Sequence, residues 1–300
     1  MQLKAYAKLN LALEILSRRD DGFHDLVGVM QTISLADTLS IQRSDTLSLA
    51  VPGHRELAGD DNLVMKAAKL LAGGQALGAQ IILTKKIPSG AGLGGGSADA
   101  ALTLMALNEF WNLGYSHQHL WDLAQSLGSD IPFFLTGGSA SVAGRGETIK
   151  PLPYDGEYWF VLIQPPFSIS TAWAYQAFDK KPQPSSGSTE KVVEALARAD
   201  ALKLGQALGN NMEGPVFAQY PQLAQYKQAL LNAGALGAAM SGSGSTIFGL
   251  FASKKDAQAA RCRILELRPE VEINVVRTVG REELREQEKA WQVENLRRRE

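Results

Sequence analysis

Apolar and polar residues alternate along residues 3–15, where Lys8 and Asn10 sit two apart among Ala7, Leu9 and Leu11. A period of two predicts a strand. Residues 32–42 and 46–51 are rich in β-branched and apolar side chains and predict two more. Asp61 and Asn62 then open an apolar spacing of helical period that runs through Leu71 and meets Gly73-Gly74. Residues 79–84 form a short apolar run, again a strand.

Beyond a glycine-rich turn, the sequence from Ser97 is alanine- and leucine-rich and predicts a helix with Ser97 as its capping residue. Ser116 is placed to cap another helix, with Leu120, Leu123, Ala124 and Leu127 at helical spacing and Gly128 at its end. Ser129-Asp130-Ile131-Pro132 begins a new turn or short helix. Pro151-Leu152-Pro153 suggests a boundary, followed by a strand over 158–163. Residues 180–188, rich in Pro and Ser, predict a mobile surface loop. Helical patterns cover 190–208 and 222–233, and 235–251 is apolar sequence around a second Gly/Ser-rich turn. Strands and helices without regular βαβ alternation favour α+β.

Charge and composition narrow the function classes. The formal net charge of −1 gives no field that would attract nucleic acid or an anionic membrane. With no signal-like or bilayer-length apolar segment, a cytoplasmic location is expected. Cys262 is the only cysteine and excludes an internal disulfide; its place in an amphipathic helical stretch predicts a buried, inert thiol. His117 and His119, two apart, point to different sides of a helix, which disfavours a metal site. The segment after Gly280 is dense in charge and reads as a solvated helix or a frayed end. The expected organisation is 1–150, 151–280 and a charged tail over 281–300.

The strongest chemical signal is Pro88-Ser89-Gly90-Ala91-Gly92-Leu93-Gly94-Gly95-Gly96-Ser97-Ala98. Five glycines within seven residues carry a high conformational entropy cost. What they permit is a backbone whose N–H groups converge on an anion at a helix N-terminus. No Lys follows the glycines, so the Walker pattern is absent. Gly90, Gly92 and Gly95 meet the dinucleotide fingerprint formally, but Tyr115 stands where an acid is needed. The protein-kinase motif set is missing. A bare flexible turn is the non-functional alternative.

These residues are similar to the ATP loop of the GHMP kinases, and Ala7-Lys8-Leu9-Asn10-Leu11, Gly22-Phe23-His24, Gly128-Ser129-Asp130-Ile131-Pro132 and Met240-Ser241-Gly242-Ser243-Gly244-Ser245-Thr246 resemble further motifs of that family. The resemblance covers the chain to about Gly280. It implies a two-domain α+β fold with the active site in the interdomain cleft, ATP as co-substrate and Mg²⁺ bridging its phosphates, with Ser97 a candidate ligand. The glycine variant points to the branch that phosphorylates the C2 hydroxyl of a cytidine-diphosphate-linked methylerythritol in non-mevalonate isoprenoid precursor synthesis. The rivals are another small-molecule kinase of the family (mevalonate or homoserine type), a non-catalytic nucleotide-binding regulator, and a nicotinamide-dependent oxidoreductase. A monomer or weak homodimer is expected.

The resemblance also assigns roles. Asp130 would take or orient the acceptor's proton, and Lys8 would lie beside it and offset phosphoryl charge. Taken alone, Lys8 is a solvent-facing strand lysine and Asp130 a helix cap. Asn10, His24, Phe23, Thr171 and Tyr175 would hold the acceptor, with Phe23 standing where the family usually places Tyr. Asn62 and Lys85 are candidates for the adenosine side.

Overall fold

The computed structural model describes residues 2–154 and 156–297. Strands β1 (Gln2–Arg18) and β2 (His24–Gln42) form a long antiparallel hairpin. β1 extends beyond the alternating stretch, and β2 begins at His24 rather than Thr32. Both carry nearly continuous buried runs, Ala5 to Ile15 and Val29 to Ile33, because each is covered on two sides.

β3 (Leu47–Ala50) pairs in parallel with β4 (Ala79–Thr84), with α1 (Leu63–Ala72) between them, and β4 pairs with the far half of β2. β5 (Ser139–Gly144) pairs with the near half of β2 and with β6 (Thr148–Pro151). β8 (Gly209–Asn210) joins β1 in parallel and completes a seven-stranded sheet among the described residues. The helices α1, α2 (Gly95–Phe110), α3 (His117–Leu127) and α4 (Ile131–Thr136) pack over it through Val64, Leu71, Ala101, Leu104 and Ile131.

A second, antiparallel sheet has the order β11 (Glu272–Arg277), β7 (Trp159–Gln164), β10 (Ile247–Phe251), β9 (Gly237–Met240). Around it run α5 (Thr171–Lys180), α6 (Ser188–Ala197), α7 (Ala201–Ala207), α8 (Glu213–Gln219), α9 (Pro221–Asn232) and α10 (Lys254–Leu267). Leu13, Ile15, Leu26 and Met30 of the hairpin share a core cluster with Ile163, Phe178, Met212 and Val216. The hairpin is therefore the part of the first sheet against which the second sheet packs, and the site forms along it.

Several expectations need correction. Ser97 does not cap α2; Gly94, with φ +71°, does, and Ser97 lies inside the first turn. The 190–208 helix is broken: Ala199 adopts φ +52°, and the Asp200 side chain accepts from Lys203 N–H (3.0 Å) to start α7. The Pro/Ser segment is pinned, because the buried Glu14 carboxylate accepts from Ser185 Oγ (2.7 Å), Ser186 N–H and Gly187 N–H (2.8 Å each) and Thr189 N–H (3.1 Å). The charged tail is a helix, α11 (Arg281–Arg297), but not a wholly solvated one: its Trp291 is buried against the first half of the chain. Burying such a ring stabilises by roughly 1.5–3 kcal/mol.

The Cys262 thiol is exposed, contrary to expectation. Ala257, Ala260 and Ile264 form the buried stripe of α10, and Cys262 lies two residues off it.

Candidate active site

The polar groups of the sequence motifs converge on one cleft of about 340 Å³. A cavity of about 460 Å³ lies elsewhere, under α11, and its lining is mostly apolar. Chemistry therefore points to the smaller space.

β1 delivers Lys8 and Asn10 to the same face, two residues apart. Lys8 is only 3 % exposed, and its ammonium donates to Asn10 Oδ1 and lies 3.8 Å from Asp130 Oδ2. Burial pushes the Lys8 ammonium below the ordinary lysine range, and the Asp130 charge opposes that shift. Asp130 precedes α4 but makes no capping bond; its side chain is 39 % exposed, at the cleft. A carboxylate so placed can accept a hydroxyl proton. Lys8 is thus not a solvent-facing lysine, and Asp130 is not a capping aspartate.

The glycine-rich loop forms the adjoining wall. Gly90, Gly92 and Gly94 all have positive φ, which lets successive N–H groups turn inward ahead of α2. Pro88, Ser89, Ala91, Gly95, Gly96 and Ser97 also line the cleft. Leu93 is buried in the core and anchors the loop to β1, since Lys8 N–H donates to its carbonyl at 2.9 Å. Ala98 faces away, into the apolar cavity.

The second Gly/Ser turn closes on the first. Ser241 Oγ donates to the Gly92 carbonyl (2.8 Å) and accepts from Asn10 N–H (3.2 Å). A Cβ at Gly92 would stand 2.0 Å from the Ser241 carbonyl oxygen. Thr171, at the start of α5, shares a hydroxyl hydrogen bond with Ser243 (3.1 Å), and Gly242 and Ser243 join the lining.

Tyr175, one turn along α5, presents its ring to the cleft and packs at 4.8 Å against His24, whose Nε2 lies 2.6 Å from Asp179 Oδ1. Burial, and then the Asp130 charge, push the Tyr175 phenol up to about 12, so it stays protonated.

Besides Leu93 and Ala98, three more predicted site residues have a distinct setting. Phe23 is 52 % exposed at the hairpin tip, with the Arg145 guanidinium 4.8 Å over its ring, outside the cleft lining. Asn62 is occupied in capping α1, accepting from Val64 N–H (2.9 Å) and donating to the Leu57 carbonyl (2.7 Å). Lys85 lines the cleft, but its ammonium is held by Asp37 and Asp99. Sequence reasoning missed Asp179, Met212 and Gly146, which come from elements that no motif announces.

The fold and this cleft define a kinase that transfers phosphate from ATP to a small molecule. The description "GHMP kinases N terminal domain" matches residues 62–138 and "GHMP kinases C terminal" matches 192–267. The chain belongs to the GHMP kinase family. It is 46 % identical over 280 residues to the 4-diphosphocytidyl-2-C-methyl-D-erythritol kinase of Pelotomaculum thermopropionicum, covering 91 % of this chain and 96 % of that one. The crystal structure of a 4-(cytidine 5'-diphospho)-2C-methyl-D-erythritol kinase superposes with a TM-score of 0.79 at 36 % identity, over 93 % of this chain and all of the other. A homoserine kinase from Cytophaga hutchinsonii superposes at 0.74 with 22 % identity, over 93 % and 94 % of the two chains, and so shares the fold. Among the described residues, no helix is long and apolar enough to cross a membrane.

Proposed function

We propose that the chain transfers the γ-phosphate of ATP to the C2 hydroxyl of 4-diphosphocytidyl-2-C-methyl-D-erythritol, giving the 2-phosphate and ADP. The observation that carries this is the Lys8–Asp130 pair, 3.8 Å apart and facing the glycine-rich loop. The triphosphate lies on the loop's backbone N–H groups and the start of α2. Asp130 takes the acceptor's proton as its oxygen attacks in line, and Lys8 neutralises charge on the transferring phosphoryl group. Asn10 orients the Lys8 ammonium.

Two further features support the acceptor. Tyr175, backed by His24 and its Asp179 partner, offers an aromatic platform of the kind that stacks a base. An aliphatic acid such as homoserine or mevalonate has no use for that ring. The Thr171 hydroxyl sits on the same wall.

Mg²⁺ would shield the phosphate charge when bound. No cluster of three or more His, Cys, Asp or Glu able to hold a metal occurs among the described residues. The cleft instead offers the Ser97 hydroxyl, a hard oxygen suited to an ion that keeps phosphate and water ligands.

Phosphorus NMR of the product tests the assignment. One new phosphomonoester signal, coupled to no C1 or C3 protons and accompanied by an intact diphosphate, is expected. A phosphate on C1 or C3, or a cleaved diphosphate, would refute it.

A further inference from the structure

Behind the glycine-rich loop lies a buried cluster of three ionisable groups that the transfer chemistry does not use. Asp37, on β2, is fully buried. Its Oδ1 accepts from the backbone N–H of Lys86 and of Ile87 (2.8 Å), the last two N–H groups before the loop enters at Pro88. Its Oδ2 accepts from the Lys85 ammonium. The same ammonium donates to Asp99 Oδ2 at 2.7 Å, and Asp99 stands on α2 two residues beyond Ser97, where the loop leaves.

The helix start sits directly on this cluster. A Cβ at Gly95 would lie 2.8 Å from Ile87 Cγ2 and 3.3 Å from Lys85 Nζ. Entry and exit of the loop are thus bonded to one ammonium and its two carboxylates. Burying such a group is costly, and apolar packing of the same volume generally stabilises at least as well. A role in fixing geometry explains what a role in stability does not.

We propose that Asp37, Lys85 and Asp99 are positioning residues for the nucleotide, holding both ends of the glycine-rich loop so that its N–H groups converge on the triphosphate. This rests on the ATP reading of the loop. Neither carboxylate lines the cleft, so each acts through the loop; Lys85 does line it and could touch nucleotide itself. Asp37 is therefore the decisive position.

The test is calorimetric titration of a non-hydrolysable ATP analogue with Mg²⁺ into the wild type, Asp37→Asn, Asp99→Asn, Lys85→Gln and the Asp37→Asn/Lys85→Gln double variant, with KM for ATP and for the acceptor measured alongside. Each single variant is expected to weaken nucleotide binding about tenfold or more while the acceptor KM moves less than about twofold. The double variant should be little worse than either single one, as for groups that act as a unit. Wild-type affinity in Asp37→Asn and Asp99→Asn, with a loss only in Lys85→Gln, would make Lys85 a direct ligand and overturn the proposal. So would an equal rise in both KM values. If Asp37→Asn does not fold, Asp99→Asn decides by the same criteria. A wild type that binds no nucleotide would overturn the loop's assignment itself.

Discussion

The Lys8 ammonium lies 3.8 Å from the Asp130 carboxylate, one group almost wholly buried on a central strand and the other open to the cleft. The asymmetry suits their proposed tasks. A buried cation keeps its full electrostatic reach, while an accessible carboxylate can meet an incoming hydroxyl. Asp130→Asn removes the proton acceptor with little change in shape. Turnover should fall by roughly 10²-fold or more, with nucleotide affinity and melting temperature nearly unchanged. Steady-state rates beside a thermal melt check this, and near-normal turnover would exclude Asp130 as the base.

Lys8 should reveal itself in the pH profile. Desolvation lowers its pKa, and Asp130 only partly restores it. Deprotonation would remove the charge that offsets the phosphoryl group, so kcat/KM, which reports the free enzyme, should fall on the alkaline side at a pH below the ordinary lysine range. In Lys8→Met that limb should vanish along with most of the rate. A wild-type profile flat up to ordinary lysine values would contradict this.

Glu14 connects stability to acid. Burial alone would raise its pKa, but the hydrogen bonds from Ser185, Thr189 and Ser186 outweigh it and hold the group at about 2. A carboxylate depressed in the folded state contributes its full stabilisation above its unfolded value, near 4.5, and loses it as pH falls toward about 2. Glu14→Gln should therefore be destabilised at neutral pH by about 1–3 kcal/mol, with the gap to wild type closing through that acid window. Urea melts across the range measure it. A gap that stays constant would show that the charge is not what holds the 185–189 segment.

Gly92 is constrained from two directions. Its φ is +75°, and a Cβ would meet the Ser241 carbonyl oxygen at 2.0 Å. Gly92→Ala should cost about 1–3 kcal/mol in stability and raise KM for ATP more than KM for the acceptor, because it parts the two glycine turns. Unchanged nucleotide binding in that variant would mean that the turns need not meet.

Tyr175→Leu should raise the acceptor KM by roughly 5- to 100-fold, in line with the loss of one stacked base, and leave KM for ATP nearly alone. An effect on ATP alone would place the ring on the wrong side of the cleft.

What the sequence made legible was local. The strand 79–84, the helix capped by Ser116 and the glycine turn before α2 carry period, cap or glycine signals that act over a few residues, and they formed as expected. Lys8 and Asp130 carry no such signal in themselves; only their motifs' resemblance to the GHMP family joined them. The misses are long-range. Nothing local marks Glu14 as the acceptor that fixes a Pro/Ser loop some 170 residues away, or Asp179 as the partner of His24. Nor does anything local mark Asp37 and Asp99 as the carboxylates that hold the Lys85 ammonium at the cleft, because both lie on other elements. The exposed Cys262 and the buried Trp291 of the charged tail differ from expectation for one reason: which side of a helix is covered depends on its neighbours.

The most direct test is ADP release from Mg²⁺-ATP with four candidate acceptors in parallel: 4-diphosphocytidyl-2-C-methyl-D-erythritol, methylerythritol phosphate, mevalonate and homoserine. Stoichiometric ADP with the cytidylated acceptor alone is the predicted result. Turnover on mevalonate or homoserine without it would contradict the proposed acceptor, and ATP binding without turnover on any of the four would contradict a catalytic role for the Lys8–Asp130 pair.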